Sequence, residues 1–202
     1  MPSTDRSPAL PITGFERNAL VSDLPTKTIA PYGSWESPFS IDMLIGGTTP
    51  LREPGSDGET IYWLEGRPAE SGRSTLIRYP DGATTERTPN PFDVRSRAHE
   101  YGGGAWAARN GIVIVSNGTD NRLYRIAEGS DPAPITPEGP WRFADLVIDT
   151  DHNRLIAVRE DHTLEDVEPI NTLVQLDLDG PNEDGGQVII SGTDCVASPA
   201  LA

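Results

Sequence analysis

The feature that most constrains this chain is a strand–turn–strand pattern that occurs three times after residue 60. Each copy has a short apolar run, a polar turn, and a second run that ends in apolar–polar alternation. Ile61 and Ile112 in the leading runs are 51 positions apart, and about 43 positions separate Gly111 from Arg154. Four strands that form one β-propeller blade take about 40 to 50 residues, so the period indicates a propeller.

Each copy also carries the flanking segments that a four-stranded blade requires. The first two copies close on a Thr-Pro pair, Thr88-Pro89 and Thr136-Pro137. Proline cannot donate to a continuing ladder, so both pairs mark the end of a strand. We predict inner strands at Ser40–Gly46, Ala105–Arg109 and Phe143–Asp149, and outer strands at Thr84–Thr88, Ala133–Thr136 and Gln187–Ser191.

We therefore predict an all-β fold, a partial β-propeller of about three four-stranded blades plus the start of a fourth. The predicted blades cover about 38–90, 99–137 and 141–192, and a truncated fourth covers 194–202. Residues 1–30 contain four prolines and no sustained period, which favours an extended N-terminal arm. A sandwich of short strands would show similar alternation, but it does not predict the matched spacing.

The charge balance excludes two classes of partner. Sixteen Lys and Arg residues stand against 31 Asp and Glu residues, which gives a formal net charge of −15. Such a field repels phosphate backbones and anionic lipids, and it mildly favours cationic ligands. We expect no nucleic acid and no membrane as partners.

Without an apolar leader or a long apolar run, the sequence also favours a cytoplasmic location.

Five segments carry a resemblance to a known family. They are spread over nearly everything after residue 29 and occur in the family's order. Together they resemble the dipeptidyl aminopeptidase and acylaminoacyl peptidase branch of the prolyl oligopeptidase serine peptidases. The segments are Ala30–Pro38, Ile61–Pro68, Arg97–Gly104, Arg142–Asp145 and Val158–His162.

The resemblance implies a β-propeller that covers the active site of a C-terminal α/β-hydrolase domain and filters the peptides that reach it. The family's nucleophile lies in a Gly-x-Ser-x-Gly elbow, and this sequence has no such pentapeptide. The nearest segment, Gly72–Leu76, ends in leucine at a strand start. We therefore predict no catalytic residues, no cofactor, and no activity of this chain alone.

The most unusual local motif is His99-Glu100-Tyr101, which is followed by three glycines. One interpretation places His99 and Glu100 in the central channel, where Glu100 would attract a peptide amine. The other is structural: the glycines allow close backbone approach and His99 binds a neighbouring blade. As candidates for substrate gating we take His99, Glu100, Tyr101 and Arg159.

Two acidic segments invite a metal interpretation. One runs from Arg159 to Asp166 and contains His162, and the other is Asp149–Asn153. The first is typical of a solvated, salt-bridged loop, and the second lacks the glycine and terminal glutamate of a calcium loop. We predict no metal site.

The tryptophans occur about once in each repeat, which is typical of packing between blades. They are Trp35, Trp63, Trp106 and Trp141.

Function then has two main interpretations. The chain is the truncated propeller portion of a peptidase, and its partners are peptides or the α/β-hydrolase domain. Alternatively, it is a stand-alone interaction module that completes its propeller by self-association through open blade edges. A propeller lactonase would need acidic or Asn metal ligands that converge on the channel, and nothing in the sequence requires it.

Overall fold

The computed structural model of the chain describes residues 29–34, 36–41, 43, 48–164 and 167–201. The predicted N-terminal arm lies almost wholly outside these residues. The chain divides into two compact units, Met1–Gly46 and Gly47–Ala202, and the strands of the described residues belong to the second. Within the described residues, no helix combines the length and apolar character of a membrane span.

Twelve strands in the described residues form three four-stranded antiparallel sheets, here called blades one to three, each in chain order. The all-β partial propeller predicted from the repeat is therefore confirmed. Blade one contains β1 (Leu51–Asp57), β2 (Thr60–Arg67), β3 (Arg73–Tyr79) and β4 (Thr85–Glu86). Blade two contains β5 (Trp106–Arg109), β6 (Ile112–Ser116), β7 (Leu123–Ile126) and β8 (Ala133–Pro134). Blade three contains β9 (Trp141–Asp149), β10 (Arg154–Asp161), β11 (Ile170–Asp177) and β12 (Gln187–Ile190). Short 3-10 turns occupy Pro68–Glu70 and Thr150–His152.

The first strand of blade one differs from the prediction. The strand that pairs with β2 is Leu51–Asp57, not Ser40–Gly46, most of which lies outside the described residues. The β1 sequence does not alternate between apolar and polar residues. Its ladder with β2 shifts register between Arg52 and Gly55, and Glu53 has a φ of 47°. A β-bulge at the edge of a sheet accommodates a Glu-Pro-Gly sequence that looks like a turn.

The blades pack face to face. β5 contacts both β1 and β9, as expected of a propeller arc. Side chains of β6 alternate between two cores: Val113 and Val115 pack toward blade one, and Ile114 packs toward blade three. Blade one supplies Tyr62, Leu64 and Leu76 to the first core, and blade three supplies Phe143, Leu146, Ile148, Leu155, Ala157, Val174 and Leu176 to the second.

The repeated Thr-Pro pairs have a common structural role. The Thr88 hydroxyl accepts the backbone N–H of Leu76 at 2.8 Å, and the Thr136 hydroxyl accepts that of Leu123 at 2.9 Å. Both threonines are buried. Each hydroxyl therefore satisfies a buried donor on the third strand, from a position two residues after the fourth strand ends and one residue before the proline.

Acidic residues in the bulged first strands of blades one and three contact the segment that follows each of these blades. Glu53 accepts the N–H of Ala105 at 3.0 Å, and Asp145 accepts that of Ser198 at 2.8 Å. Asp145, with a φ of 53°, also accepts the N–H of Gly104 at 2.7 Å. Residues 194–201 contain no assigned strand, but they lie against β9 in the way that the start of blade two lies against β1.

Candidate functional site

The predicted gating motif lies in the loop 97–104, which connects blade one to blade two. Its backbone is left-handed at His99, Glu100 and Gly102, where φ is 56°, 64° and 90°. A Cβ atom at Gly103 would stand 2.9 Å from the Cβ of Ala144. The left-handed backbone, and the absence of a side chain at each glycine, allow the loop to lie directly on β9.

Glu160 of β10 fixes this loop to blade three. Its side chain is 6% exposed, and its Oε1 accepts the backbone N–H of His99 at 2.6 Å and lies 3.3 Å from the His99 Nδ1. Its Oε2 lies 3.1 Å from the Nε2 of His162. One buried carboxylate therefore positions two imidazoles. Sequence reasoning placed Glu160 and His162 in a solvated loop and missed this contact.

His99 itself is held inside the fold. Its Nδ1 lies 3.3 Å from the Nδ2 of Asn171 and 3.9 Å from the Sγ of Cys195, and its ring stacks on Tyr101 with a centroid distance of 5.9 Å. The His99 Nε2 is buried without a hydrogen-bond partner in the described part of the chain. These contacts support the structural interpretation of His99, as a side chain that binds a neighbouring blade.

Glu100 and Tyr101 project outward from the same loop. The Glu100 side chain is 84% exposed and Tyr101 is 87% exposed. Arg142 donates to the Glu100 Oε1 at 2.8 Å, and this hydrogen bond and the charge of the guanidinium lower the pKa of Glu100. Arg142 also donates to the carbonyl of Arg97 at 3.0 Å. Glu100 is thus an exposed, ionised carboxylate on a fixed backbone.

A cavity of about 750 Å³ lies beside this loop. His99 and Asn171 contribute to its wall, and four of its lining residues are acidic. Such a lining attracts cations and opposes anions. The acidic residues are Glu100, Glu160, Glu168 and Asp194.

Arg159, the fourth predicted gating residue, is not part of this group. Because side chains alternate along β10, Arg159 points to the opposite face from Glu160. It is 8% exposed, its Nη1 donates to the carbonyls of Asp184 and Gly186 at 3.2 and 3.3 Å, and its guanidinium lies 6.0 Å from the Trp141 ring centroid. Burial lowers the pKa of Arg159. These contacts favour a structural role for Arg159.

The two acidic segments contain no metal-binding group in the part of the chain that the structure describes. Asp149 Oδ2 instead accepts from the Nε of Arg154 and contacts the Nδ1 of His152, both at 2.9 Å. Hydrogen bonding from Arg154, together with His152, lowers the pKa of Asp149. Glu165 and Asp166 lie outside the described residues.

Comparison with known proteins gives a consistent set of structural neighbours. No family model matches the chain, and no curated protein matches it. Among solved structures, a puromycin-hydrolyzing peptidase from Mycobacterium tuberculosis matches 86% of the chain with 36% identity and a TM-score of 0.76. A puromycin hydrolase matches 79% with 31% identity and a TM-score of 0.68, and its S511A mutant complexed with PGG matches 77% with 32% identity and a TM-score of 0.68.

The chain belongs to the prolyl oligopeptidase family, as an N-terminal β-propeller part. It spans 29%, 26% and 26% of the lengths of these three peptidase structures. The family predicted from the sequence motifs is therefore confirmed. Within this propeller part, the loop 97–104, with the cavity beside it, is the candidate functional site.

Proposed function

We propose that this propeller part docks peptides for a serine peptidase, with hydrolysis carried out by an α/β-hydrolase domain. The observation that carries the proposal is the placement of exposed, ionised Glu100 at the rim of the acidic cavity. A carboxylate there can attract the free amine of a peptide. Tyr101, exposed beside it, offers an aromatic surface and a hydroxyl.

The rigid support of the loop strengthens the proposal. Glu160 and Asn171 hold His99 from blade three, and Arg142 holds Glu100. A contact surface with a fixed backbone loses less entropy when a ligand binds. His99 acts here as a positioning residue, and Glu100 and Tyr101 are the groups that touch the peptide.

The test is calorimetric binding of a tripeptide with a free amine and of its N-acetylated form. We expect the free amine to bind about tenfold more tightly, and we expect Glu100→Gln to remove this difference. Glu59→Gln, a change of an exposed carboxylate that does not line the cavity, is the matched control. Equal binding of the two peptides to the unaltered chain would contradict the proposal. We also expect no hydrolysis of aminoacyl chromogenic substrates by the chain alone.

One observation favours a second function, self-association through an open blade edge. The last strand of blade three, β12, exposes three consecutive apolar side chains, Val188, Ile189 and Ile190. Exposed apolar edge strands can pair with another chain. Light scattering after size-exclusion chromatography tests this: a discrete dimer that Val188→Lys converts to monomer supports it, and a monomer at all concentrations opposes it.

A further inference from the structure

A second pocket, of about 380 Å³, lies on the blade-one side of the same loop. Three arginines line it: Arg52 of β1, Arg95 from the segment that leads into the loop, and Arg97 at the start of the loop. This segment is extended, and its buried residues alternate with the two exposed arginines. Backbone hydrogen bonds fix it, from Val94 to Ser74 at 2.8 Å and from Arg95 to Ser116 at 3.1 Å. The arginines therefore stand on an anchored backbone.

The guanidinium groups at this pocket are only partly neutralised. Arg95 lies 3.6 Å from the Asp93 carboxylate and donates to the carbonyl of Gly72 at 3.1 Å. Within the described residues, the side chains of Arg52 and Arg97 have neither an ion pair nor a hydrogen bond. In a chain with a net charge of −15, three arginines at one pocket are a local reversal of charge.

Two carboxylates, Glu53 and Glu100, also line this pocket, so its arginines outnumber its carboxylates by three to two. Arg142, which does not line the pocket, also donates to the Glu100 carboxylate at 2.8 Å. The Glu53 carboxylate is engaged by the backbone, because it accepts the N–H of Ala105 at 3.0 Å. The pocket thus remains a cationic site, and arginine forks match the planar geometry of a carboxylate.

Glu100 lines both the acidic cavity and the arginine pocket, which places sites of opposite charge on the two sides of one loop. We propose that the arginine pocket binds a carboxylate of the peptide whose amine is held at the acidic cavity. This inference rests on the proposed function. The carboxylate is either the peptide's C-terminus or an acidic side chain.

The experiment compares three tripeptides with free amines by calorimetry on the whole chain. The probes are Ala-Ala-Ala as the free acid, the same peptide as its C-terminal amide, and Ala-Glu-Ala amide. We expect the free acid to bind about tenfold more tightly than the Ala-Ala-Ala amide. Arg97→Gln and Arg95→Gln should each reduce this difference, and Arg109→Gln, on an exposed arginine outside the pocket, should leave it unchanged. Thermal unfolding checks that each variant is folded.

The outcomes separate this inference from the proposed function. Tight binding of Ala-Glu-Ala amide would assign the pocket to an acidic side chain, and weak binding of that peptide would assign it to the C-terminus. If neither the Ala-Ala-Ala acid nor the Ala-Glu-Ala amide bound more tightly than the Ala-Ala-Ala amide, the arginine pocket would be overturned while amine recognition stayed intact. An unchanged acid preference in Arg97→Gln and Arg95→Gln would overturn it as well. Failure of every peptide to bind would contradict the proposed function, and the inference would fall with it.

Discussion

The Asp145 carboxylate accepts the backbone N–H of Ser198 at 2.8 Å, across 53 residues of sequence. Glu53 makes the same contact with Ala105 across 52 residues. Both acids have left-handed backbones within bulges of a first strand. The same type of contact thus occurs at the start of blade two and at the segment 194–201, so this segment takes the position that the start of a blade would take.

Removal of the Asp145 carboxylate should loosen this contact. Asp145→Ala leaves the N–H groups of Gly104 and Ser198 without their acceptor and places alanine at a φ of 53°. We expect a loss of about 2 to 4 kcal/mol in the free energy of unfolding, measured by urea denaturation. Asp145→Asn tolerates the left-handed backbone and keeps one oxygen acceptor, so it should cost less. Asp151→Ala, at an exposed position, is the control, and a loss as large as that of Asp145→Ala would contradict this explanation.

The two threonine hydroxyls should contribute similar stability in blades one and two. Thr88→Val and Thr136→Val keep the side-chain shape but leave the N–H of Leu76 or Leu123 buried without an acceptor. Each change should cost about 1 to 3 kcal/mol in chemical denaturation. Thr→Ser at the same positions keeps the hydroxyl and should cost less. Equal losses for valine and serine would show that packing, not the hydrogen bond, is responsible.

Tyr124 should ionise late in an alkaline titration. Burial, and a 2.6 Å hydrogen bond to Asp120 with the charge of that carboxylate, raise its pKa from the ordinary value to about 12. The folded state therefore retains the neutral phenol at a pH where the unfolded state has lost its proton. This contribution to stability is complete below about pH 10 and is lost as pH rises toward 12.

Ultraviolet absorbance of tyrosinate measures this titration. Asp120→Asn should move the late transition to lower pH, because the neighbouring negative charge is removed. Asp131→Asn, at an exposed position, should leave the titration unchanged. A late transition that persists in Asp120→Asn would show that burial alone sets the pKa.

Close approach of the loop to β9 predicts a steric cost at Gly103. Gly103→Ala would place a Cβ atom 2.9 Å from both the Ala144 Cβ and the Asp145 Oδ1. We expect a loss of about 1 to 3 kcal/mol, because overpacking forces backbone shifts. Gly129→Ala, which has open space but a positive φ, shows the conformational cost alone. A smaller loss at Gly103 than at Gly129 would contradict the tight contact.

The sequence predicted those parts of the fold that repeat locally. Strand alternation and spacing located the central pairs of all three blades, because each burial pattern lies within a few neighbouring residues. The sequence did not predict β1, because its bulge places Glu53-Pro54-Gly55 inside a strand and those residues are typical of turns. The propensity of these residues could not reveal a pairing that the rest of the sheet imposes.

Prediction of the site was limited by contacts between distant residues. The sequence indicated His99, Glu100 and Tyr101 as a unit, since they are adjacent. It did not indicate Glu160, whose contact with His99 spans 61 residues and depends on how blades two and three pack. For Arg159, the period of two along β10 was the available signal: Arg159 and Glu160 must face opposite sides.

The alternation of β6 has a consequence for how these blades can be exchanged. Val113 and Val115 contribute to one core and Ile114 contributes to the other, so blade two has no hydrophobic core of its own. A recombination event that transplanted this blade would have to match two foreign surfaces at once. The exchangeable unit in this architecture is therefore a pair of facing blade surfaces together with the core between them. The boundaries of such a unit fall within sheets and not between them.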